Sequence, residues 1–124
     1  MQKFLADDIL IGIGRRFVQP QIPLFFDRQN LQGFFHERKQ LFPILEVMEF
    51  RQVGSYYESE GLDQAYNNLL ASGLLVARGS NLEQYRFTPA CAESFRQWVM
   101  YRFTPEELRQ INRLSSDFRA RFSD

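Results

Sequence analysis

The residues of this 124-residue chain that best suit recognition chemistry are three amides followed by two arginines. Gln64, Asn67 and Asn68 lie close together, and amide side chains can pair with the edge of adenine in the major groove of duplex DNA. Arg78 and Arg86 follow, and arginine forms fork-shaped hydrogen bonds with phosphate. If the chain binds DNA, these five residues are the candidate contacts, with the arginines on phosphate or in the minor groove. The alternative is that all five are ordinary solvated side chains.

The charge around the amides opposes this prediction. Between Glu58 and Ala77 there are three carboxylates and no lysine or arginine. Over the whole chain, 15 basic and 15 acidic side chains cancel, and the pI is near 6.6. Because a protein that neutralises phosphates is usually basic, DNA binding here requires arginines from other parts of the chain to converge on this stretch.

The amides belong to a predicted helix over residues 61–73, because apolar residues recur there at steps of three and four. These apolar residues are Leu62, Ala65, Tyr66, Leu69 and Leu70. Gly73 suits the left-handed conformation that ends a helix. The next residues predict two strands, Leu74–Arg78 and Gln84–Phe87, joined by a turn at Gly79-Ser80-Asn81. Both arginines therefore belong to a hairpin that directly follows the helix.

Upstream, the sequence predicts three more helices. The first covers residues 4–18, where apolar residues recur at every fourth position. Asp27 is a suitable N-cap for the second, and Leu24–Phe26, which precedes it, is either a short strand or a linker. Pro43 is predicted to begin a third helix that continues to Arg51, with a strand over residues 44–50 as the alternative.

Downstream of the hairpin, two Thr-Pro pairs predict helix starts, because threonine caps a helix and proline is tolerated at its first position. Thr88 begins a helix whose apolar stripe is predicted to include Trp98. Thr104 and Glu107 form a capping box at the start of the last helix.

The stretch from Leu62 to Cys91 resembles the winged helix-turn-helix repressors of the PadR type, and more loosely the MarR type. Along and after the recognition helix the family has leucine, alanine, leucine, glycine and two aliphatic residues. This chain has Leu62, Ala65, Leu69, Gly73, Leu74 and Leu75 at those places. The far strand of the family's wing ends in Tyr-x-Leu-Thr-Pro-x-Gly, and the matching segment here is Tyr85-Arg86-Phe87-Thr88-Pro89-Ala90-Cys91. Cys91 in place of glycine, and a helix face without arginines, depart from the family.

The resemblance implies a mainly α-helical fold with a small β-hairpin wing (α+β), a winged helix-turn-helix with extra N- and C-terminal helices. The chain is then one domain: residues 1–26 form the N-terminal helix and linker, residues 27–103 the winged-helix core, and residues 104–124 the C-terminal helix. The implied function is that of a transcription regulator that binds double-stranded DNA through helix 61–73 and wing 74–87.

The resemblance also implies a homodimer, because proteins of this type pair through helices after the wing. The last helix has a long apolar seam that is predicted to form the contact. Its residues are Leu108, Ile111, Leu114, Phe118 and Phe122. The alternative is that this seam folds back onto the first helix of the same chain.

A second functional hypothesis is a winged helix that contacts another protein and does not bind DNA. Net neutrality, 13 phenylalanines and a face containing Tyr56, Tyr57 and Tyr66 would suit such a surface. Alternatively, these tyrosines line the core with their hydroxyl groups at its rim.

The sequence does not suggest an enzyme. His36 is the only histidine and Cys91 the only cysteine, so a multi-ligand soft-metal site cannot be assembled, and no cofactor is expected. His36 is expected to be solvated. Cys91 is either a low-pKa thiol at a helix start or, more simply, a small buried hydrophobic residue. No stretch is typical of a signal peptide or a membrane span, so a cytoplasmic protein is expected.

Overall fold

The computed structural model describes residues 3–79 and 83–123, and the fold is mixed α+β. The helices are α1 (Ala6–Gly14), α2 (Arg28–Arg38), α3 (Glu60–Ala71), α4 (Pro89–Ser94) and α5 (Pro105–Phe122). The strands are β1 (Leu24–Phe25), β2 (Arg51–Val53), β3 (Tyr56–Glu58), β4 (Leu75–Arg78) and β5 (Gln84–Phe87). Short 3-10 turns cover Arg15–Phe17, Pro43–Val47 and Met100–Arg102, and a π-helical turn covers Phe95–Val99. Among the described residues, no helix is both long and apolar enough to cross a membrane.

The predicted hairpin after α3 is confirmed, and it belongs to a three-stranded antiparallel sheet in the order β1-β5-β4. Leu75 pairs with Phe87 and Arg78 with Gln84 across β4 and β5. Of the two alternatives for residues 24–26, a short strand or a linker, the structure has the strand, as β1 on the other edge of β5. Of the predicted turn, Gly79 has φ +88°, whereas Ser80 and Asn81 lie outside the described residues.

Helix α1 lies in the centre of the hydrophobic core, with Ile9 and Ile13 fully buried. Gly14 is needed at its end because a Cβ there would overlap the ring of Phe87 in β5; even Phe87 Cγ would lie only 2.6 Å away. Buried side chains from residues 1–26, 27–103 and 104–124 join one core cluster. The three predicted segments are therefore parts of one packed unit.

Helix α3 agrees with its prediction to within two residues at each end. Ser59 caps it by accepting a hydrogen bond from Leu62 N–H, and Leu62, Ala65 and Leu69 are buried along one face. Gly73 follows the helix with φ +77°, the left-handed conformation that glycine adopts at low cost.

The segment between α2 and α3 differs from both predictions for residues 43–51. Pro43 begins only a short 3-10 turn, which ends at Val47. The chain then forms the hairpin β2–β3, whose turn contains Gly54 at φ +64°. Residues 39–59 therefore separate α2 from α3, in place of a tight turn between two helices.

The helix after the hairpin was predicted correctly at its start but not along its length. Thr88 does not cap it, because its hydroxyl donates to Gly73 O at 2.8 Å. After α4 the chain continues through the π turn, which keeps Cys91, Phe95 and Val99 buried at steps of four. The prediction that Trp98 belongs to this buried stripe is wrong, since its side chain is 66% exposed.

The predicted dimerisation seam on α5 is covered by its own chain. Its residues Ile111, Leu114, Phe118 and Phe122 are buried, and Leu108 is half-buried. The ring of Phe118 packs edge-on against Phe34 of α2, with centroids 5.3 Å apart. Ile111 lies close to Gly12 of α1, because a Cβ added to Gly12 would be 3.0 Å from Ile111 Cγ2. The seam therefore folds back within the chain, and its buried side chains cannot form the predicted dimer surface in this conformation.

Candidate nucleic-acid interface

The three predicted amides are all exposed on α3, as the helical period requires. Among the described residues, Gln64 and Asn67 form no side-chain hydrogen bond. Asn68 differs, because its Nδ2 donates to Asp7 Oδ2 of α1 at 2.9 Å. Gln64 and Asn67 are therefore available to an external ligand, whereas Asn68 is partly engaged by a carboxylate.

The two predicted arginines lie on the outer side of the three-stranded sheet. Along β5, Tyr85 and Phe87 are buried, and the alternation of a strand places Gln84 and Arg86 on the opposite side. Because Arg78 pairs with Gln84, Arg78 and Arg86 are diagonal neighbours across the two strands, with a separation of about 7–8 Å. Within the described residues, neither arginine forms an ion pair with a carboxylate.

Arg86 is positioned by a residue that the sequence analysis did not single out. Its Nη1 donates to Gln21 Oε1 at 3.4 Å, and Gln21 Nε2 in turn donates to Phe87 O at 3.2 Å. The Nε of Arg86 is buried without a hydrogen-bond partner. No local pattern could reveal this contact, because Gln21 lies 65 residues upstream in a proline-containing loop.

The first turn of α3 lies beside an acidic groove with a volume of about 530 Å³. Its lining includes the carboxylates Glu49, Glu58 and Glu60, with Arg51 as the cation among them. Gln64 also lines this groove. In helix-turn-helix proteins the N-terminal residues of the recognition helix contact the bases, so these carboxylates would repel a duplex at the position of closest approach.

One of the three carboxylates near the amides has a cationic partner in the same chain. Asp63 forms an ion pair with Arg28 of α2, and this hydrogen bond raises the pKa of the guanidinium. The pair leaves Glu58 and Glu60 as the acidic side chains that flank the start of α3.

The three tyrosines proposed for a protein-binding face differ in exposure and in their contacts. Tyr56 and Tyr57 are exposed on β3, whereas the hydroxyl of Tyr66 lies 2.6 Å from that of Tyr85. The pKa of Tyr66 is raised well above its usual value, mainly by burial and secondly by this hydrogen bond. Tyr66 therefore fits the alternative interpretation, in which its hydroxyl lies at the rim of the core.

His36 is not fully solvated as expected. Its ring stacks on Tyr57 with centroids 3.7 Å apart, and it meets the edge of Phe50 at 5.3 Å. This stack holds the β2–β3 hairpin against α2.

Cys91 is a buried residue and not a reactive thiol. Its Sγ lies 3.5 Å from Ile11 O, to which it donates, and burial raises the pKa of the thiol to about 12. In the part of the chain that the structure describes, no group of three or more His, Cys, Asp or Glu side chains is arranged to bind a metal.

Comparisons of the chain with protein-family models, curated proteins and solved structures found no match. The function is therefore inferred from the chain's own residues.

Proposed function

We propose that this chain is a winged-helix protein, similar to regulators of the PadR type, that binds double-stranded DNA through α3 and the β4–β5 hairpin. The order of α3, β4 and β5 is the order that the resemblance requires. Strand β1 extends the hairpin into a sheet, which supports the hairpin as a rigid wing. In this proposal the chain has no catalytic role.

The observation that most favours DNA is the pair Arg78 and Arg86. Two arginines on one side of a sheet, with no carboxylate paired to either among the described residues, form a site for phosphate. Gln64 and Asn67 lie on the helix that immediately precedes this sheet, and their amides suit adenine.

Two features lower the expected affinity. The carboxylates Glu58 and Glu60 lie beside the first turn of α3. In addition, residues 39–59 replace the 3–4-residue turn that usually joins the two helices of a helix-turn-helix motif. We therefore expect weak binding that depends strongly on salt.

The experiment is a titration of a random duplex at low and moderate salt. We expect measurable affinity, with log K falling linearly against log salt concentration. The double variant Arg78→Gln/Arg86→Gln should reduce the magnitude of this slope by about 1.8, because each phosphate contact contributes about 0.9. The variant Gln64→Ala/Asn67→Ala should leave the slope unchanged and reduce discrimination among sequences.

The matched control is Arg109→Gln, which removes one exposed arginine near the start of α5, where it is ion-paired with Glu106. It should bind the duplex as the unmodified chain does. If the unmodified chain does not bind duplex DNA even at low salt, the proposal is rejected.

A second candidate function is protein contact, favoured by Trp98 and Tyr101. Their side chains are 66% and 77% exposed and lie three residues apart in the helical segment after α4. Trp and Tyr are enriched at the energetic centres of protein interfaces. The partner tested first is a second copy of the chain, as the resemblance implies. A sedimentation mass that stays monomeric over a wide concentration range would exclude self-association.

A further inference from the structure

The outer side of the three-stranded sheet carries side chains that the packing of the core does not require. We define the outer sheet face as Phe25, Val76, Arg78, Gln84 and Arg86. The register places Phe25, Gln84 and Arg78 in one row across β1, β5 and β4. Val76 and Arg86 form the next row. This face therefore combines one aromatic ring, one aliphatic side chain, one amide and two cations.

Phe25 is the unusual member of this face. The neighbouring Leu24 and Phe26 are buried and supply the core, whereas Phe25 is 41% exposed. The ring of Phe26 stacks on Tyr85 with centroids 4.2 Å apart, so the inner side of the sheet already has its aromatic contact. Phe25 is not needed for that packing, and its exposed ring is available for stacking.

The electrostatics of the face suit an anionic partner. Both cations of the outer sheet face are arginines, and no member of the face is acidic. Glu83, which immediately precedes β5, is not ion-paired with either arginine. Arg86 is also held in place by Gln21, which reduces the entropy that an anionic ligand would have to offset on binding.

The outer sheet face brings its aromatic ring and its two cations within about 10 Å of one another. Adjacent strands of a sheet are about 4.8 Å apart, so Phe25 and Arg78 are separated by about 10 Å across the row. Arg86 lies diagonally between their strands, about 7–8 Å from Arg78. An exposed aromatic ring beside arginines on a sheet is the arrangement by which single-stranded nucleic acids are bound through stacking and phosphate contacts.

We propose that the outer sheet face binds single-stranded nucleic acid, with Phe25 stacking on a base and Arg78 and Arg86 contacting phosphates. A duplex is the poorer ligand for this face, because its base faces are covered by neighbouring base pairs. The site goes beyond the duplex-binding proposal, since it uses Phe25 and neither Gln64 nor Asn67.

The test measures fluorescence anisotropy of a labelled oligothymidine of about 12 nucleotides, and of the same strand in a duplex. The single strand should bind more tightly than the duplex. Phe25→Leu keeps an apolar residue but removes the ring, and it should weaken single-strand binding by about 5-fold to about 150-fold. The variant Arg78→Gln/Arg86→Gln should reduce the magnitude of the salt slope by about 1.4.

Matched controls separate stacking from general effects. Leu41→Ala removes an exposed apolar side chain outside the sheet, and Arg109→Gln removes an exposed charge on α5. Both should bind the single strand like the unmodified chain. Circular dichroism should show that Phe25→Leu remains folded, because the ring it removes is partly exposed. Unchanged affinity of folded Phe25→Leu would overturn the proposal, as would equal competition by polyglutamate.

The two proposals fail in different ways. Duplex binding that loses its discrimination among sequences in Gln64→Ala/Asn67→Ala, with single-strand binding indifferent to Phe25, would retain the duplex proposal and overturn this one. Single-strand binding that depends on Phe25, in a chain that does not bind duplex DNA, would retain the single-strand proposal and overturn the duplex proposal.

Discussion

The side-chain amide of Gln32 in α2 forms two hydrogen bonds with the backbone of Ser59, the residue that caps α3. Gln32 Nε2 donates to Ser59 O at 3.2 Å, and Gln32 Oε1 accepts from Ser59 N–H at 2.8 Å. Both residues are buried. Through these two hydrogen bonds the Gln32 side chain holds the start of α3 against α2, although residues 39–59 separate the two helices in sequence.

Replacing this amide should therefore destabilise the whole chain. In Gln32→Met, the Ser59 N–H becomes buried without a partner, whereas Ser59 O keeps the hydrogen bond that it accepts from Asp63 N–H. Because one unsatisfied buried group costs about 1–3 kcal/mol, we expect the free energy of unfolding to fall by about 1–3 kcal/mol, measured by urea denaturation. Gln29→Met, on an exposed position of the same helix, should change stability by less than about 0.5 kcal/mol. Equal stabilities of the two variants would contradict this role for Gln32.

Two glycines in helices should respond to alanine in opposite directions. A Cβ at Gly14 would overlap the buried ring of Phe87, so Gly14→Ala should destabilise the chain by at least about 2 kcal/mol. At Gly33 in α2, a Cβ would have no neighbour within 4 Å. Gly33→Ala should therefore stabilise the chain by about 0.5–1 kcal/mol, because alanine favours a helix. Thermal or urea unfolding of both variants provides the measurement, and the same sign for both would contradict the difference in packing between Gly14 and Gly33.

The elements predicted correctly from the sequence are those with strong local signals. Helix α3 and the following hairpin are marked by apolar residues at helical spacing and by Gly73 and Gly79, which both have positive φ. The strands β2 and β3 have no such signal. Their three-residue segments are mostly exposed, so burial imposes no apolar alternation that could be read from the sequence.

The errors concern features that depend on tertiary contacts. The apolar periodicity of α5 correctly predicted a buried face. Periodicity cannot indicate whether that face is covered by the same chain or by a second copy. The spacing of a regular α-helix puts Trp98 in the apolar stripe with Phe95, whereas the π turn at Phe95–Val99 changes the phase. The contact between Arg86 and Gln21 joins residues that are distant in sequence, so it too required the fold.

The buried thiol of Cys91 should make stability depend on alkaline pH. Burial raises the pKa of the folded-state thiol to about 12, whereas an unfolded cysteine titrates near 8.5. Above about pH 8.5 the unfolded state loses this proton while the folded state retains it, so the free energy of unfolding should fall as pH rises. The slope is at most about 1.4 kcal/mol per pH unit for one proton.

The measurement compares urea unfolding of the unmodified chain and Cys91→Ala from about pH 7 to about pH 9, below most of the tyrosine titration, which is centred near pH 10. The variant should lack the decrease. In the same pH range, the native chain should react with a thiol reagent only as fast as it unfolds. Rapid labelling of the folded protein would show that the thiol is accessible.

Trp98 should contribute little to stability, in contrast to Phe95 in the same π turn. Because Trp98 is mostly exposed, Trp98→Ala should change the free energy of unfolding by about 0.5 kcal/mol or less. Phe95 is buried beneath the guanidinium of Arg15, which lies 4.2 Å from its ring centroid, so Phe95→Ala should cost about 3–5 kcal/mol. Trp98 is the only tryptophan, so iodide should already quench the fluorescence of the folded chain strongly. Protection from iodide would indicate that another surface covers Trp98.

The carboxylates at the start of α3 provide a direct test of whether this helix approaches DNA. If it does, Glu58→Gln/Glu60→Gln should raise duplex affinity at low salt, because both carboxylates line the groove beside Gln64. The gain is at most a factor of about 5 for each charge removed, the value for two charges about 4 Å apart in water. It should disappear at high salt, which screens exposed charges.

Glu93→Gln on α4 serves as the control with the same chemistry, and it should leave affinity unchanged. Glu60→Gln also removes a favourable charge from the helix N-terminus at a cost of about 0.3–1 kcal/mol, so unfolding curves are needed to show that the variant remains folded. An affinity unchanged in the folded double variant would place the bound duplex away from α3 and leave the arginines of the sheet as its remaining contact.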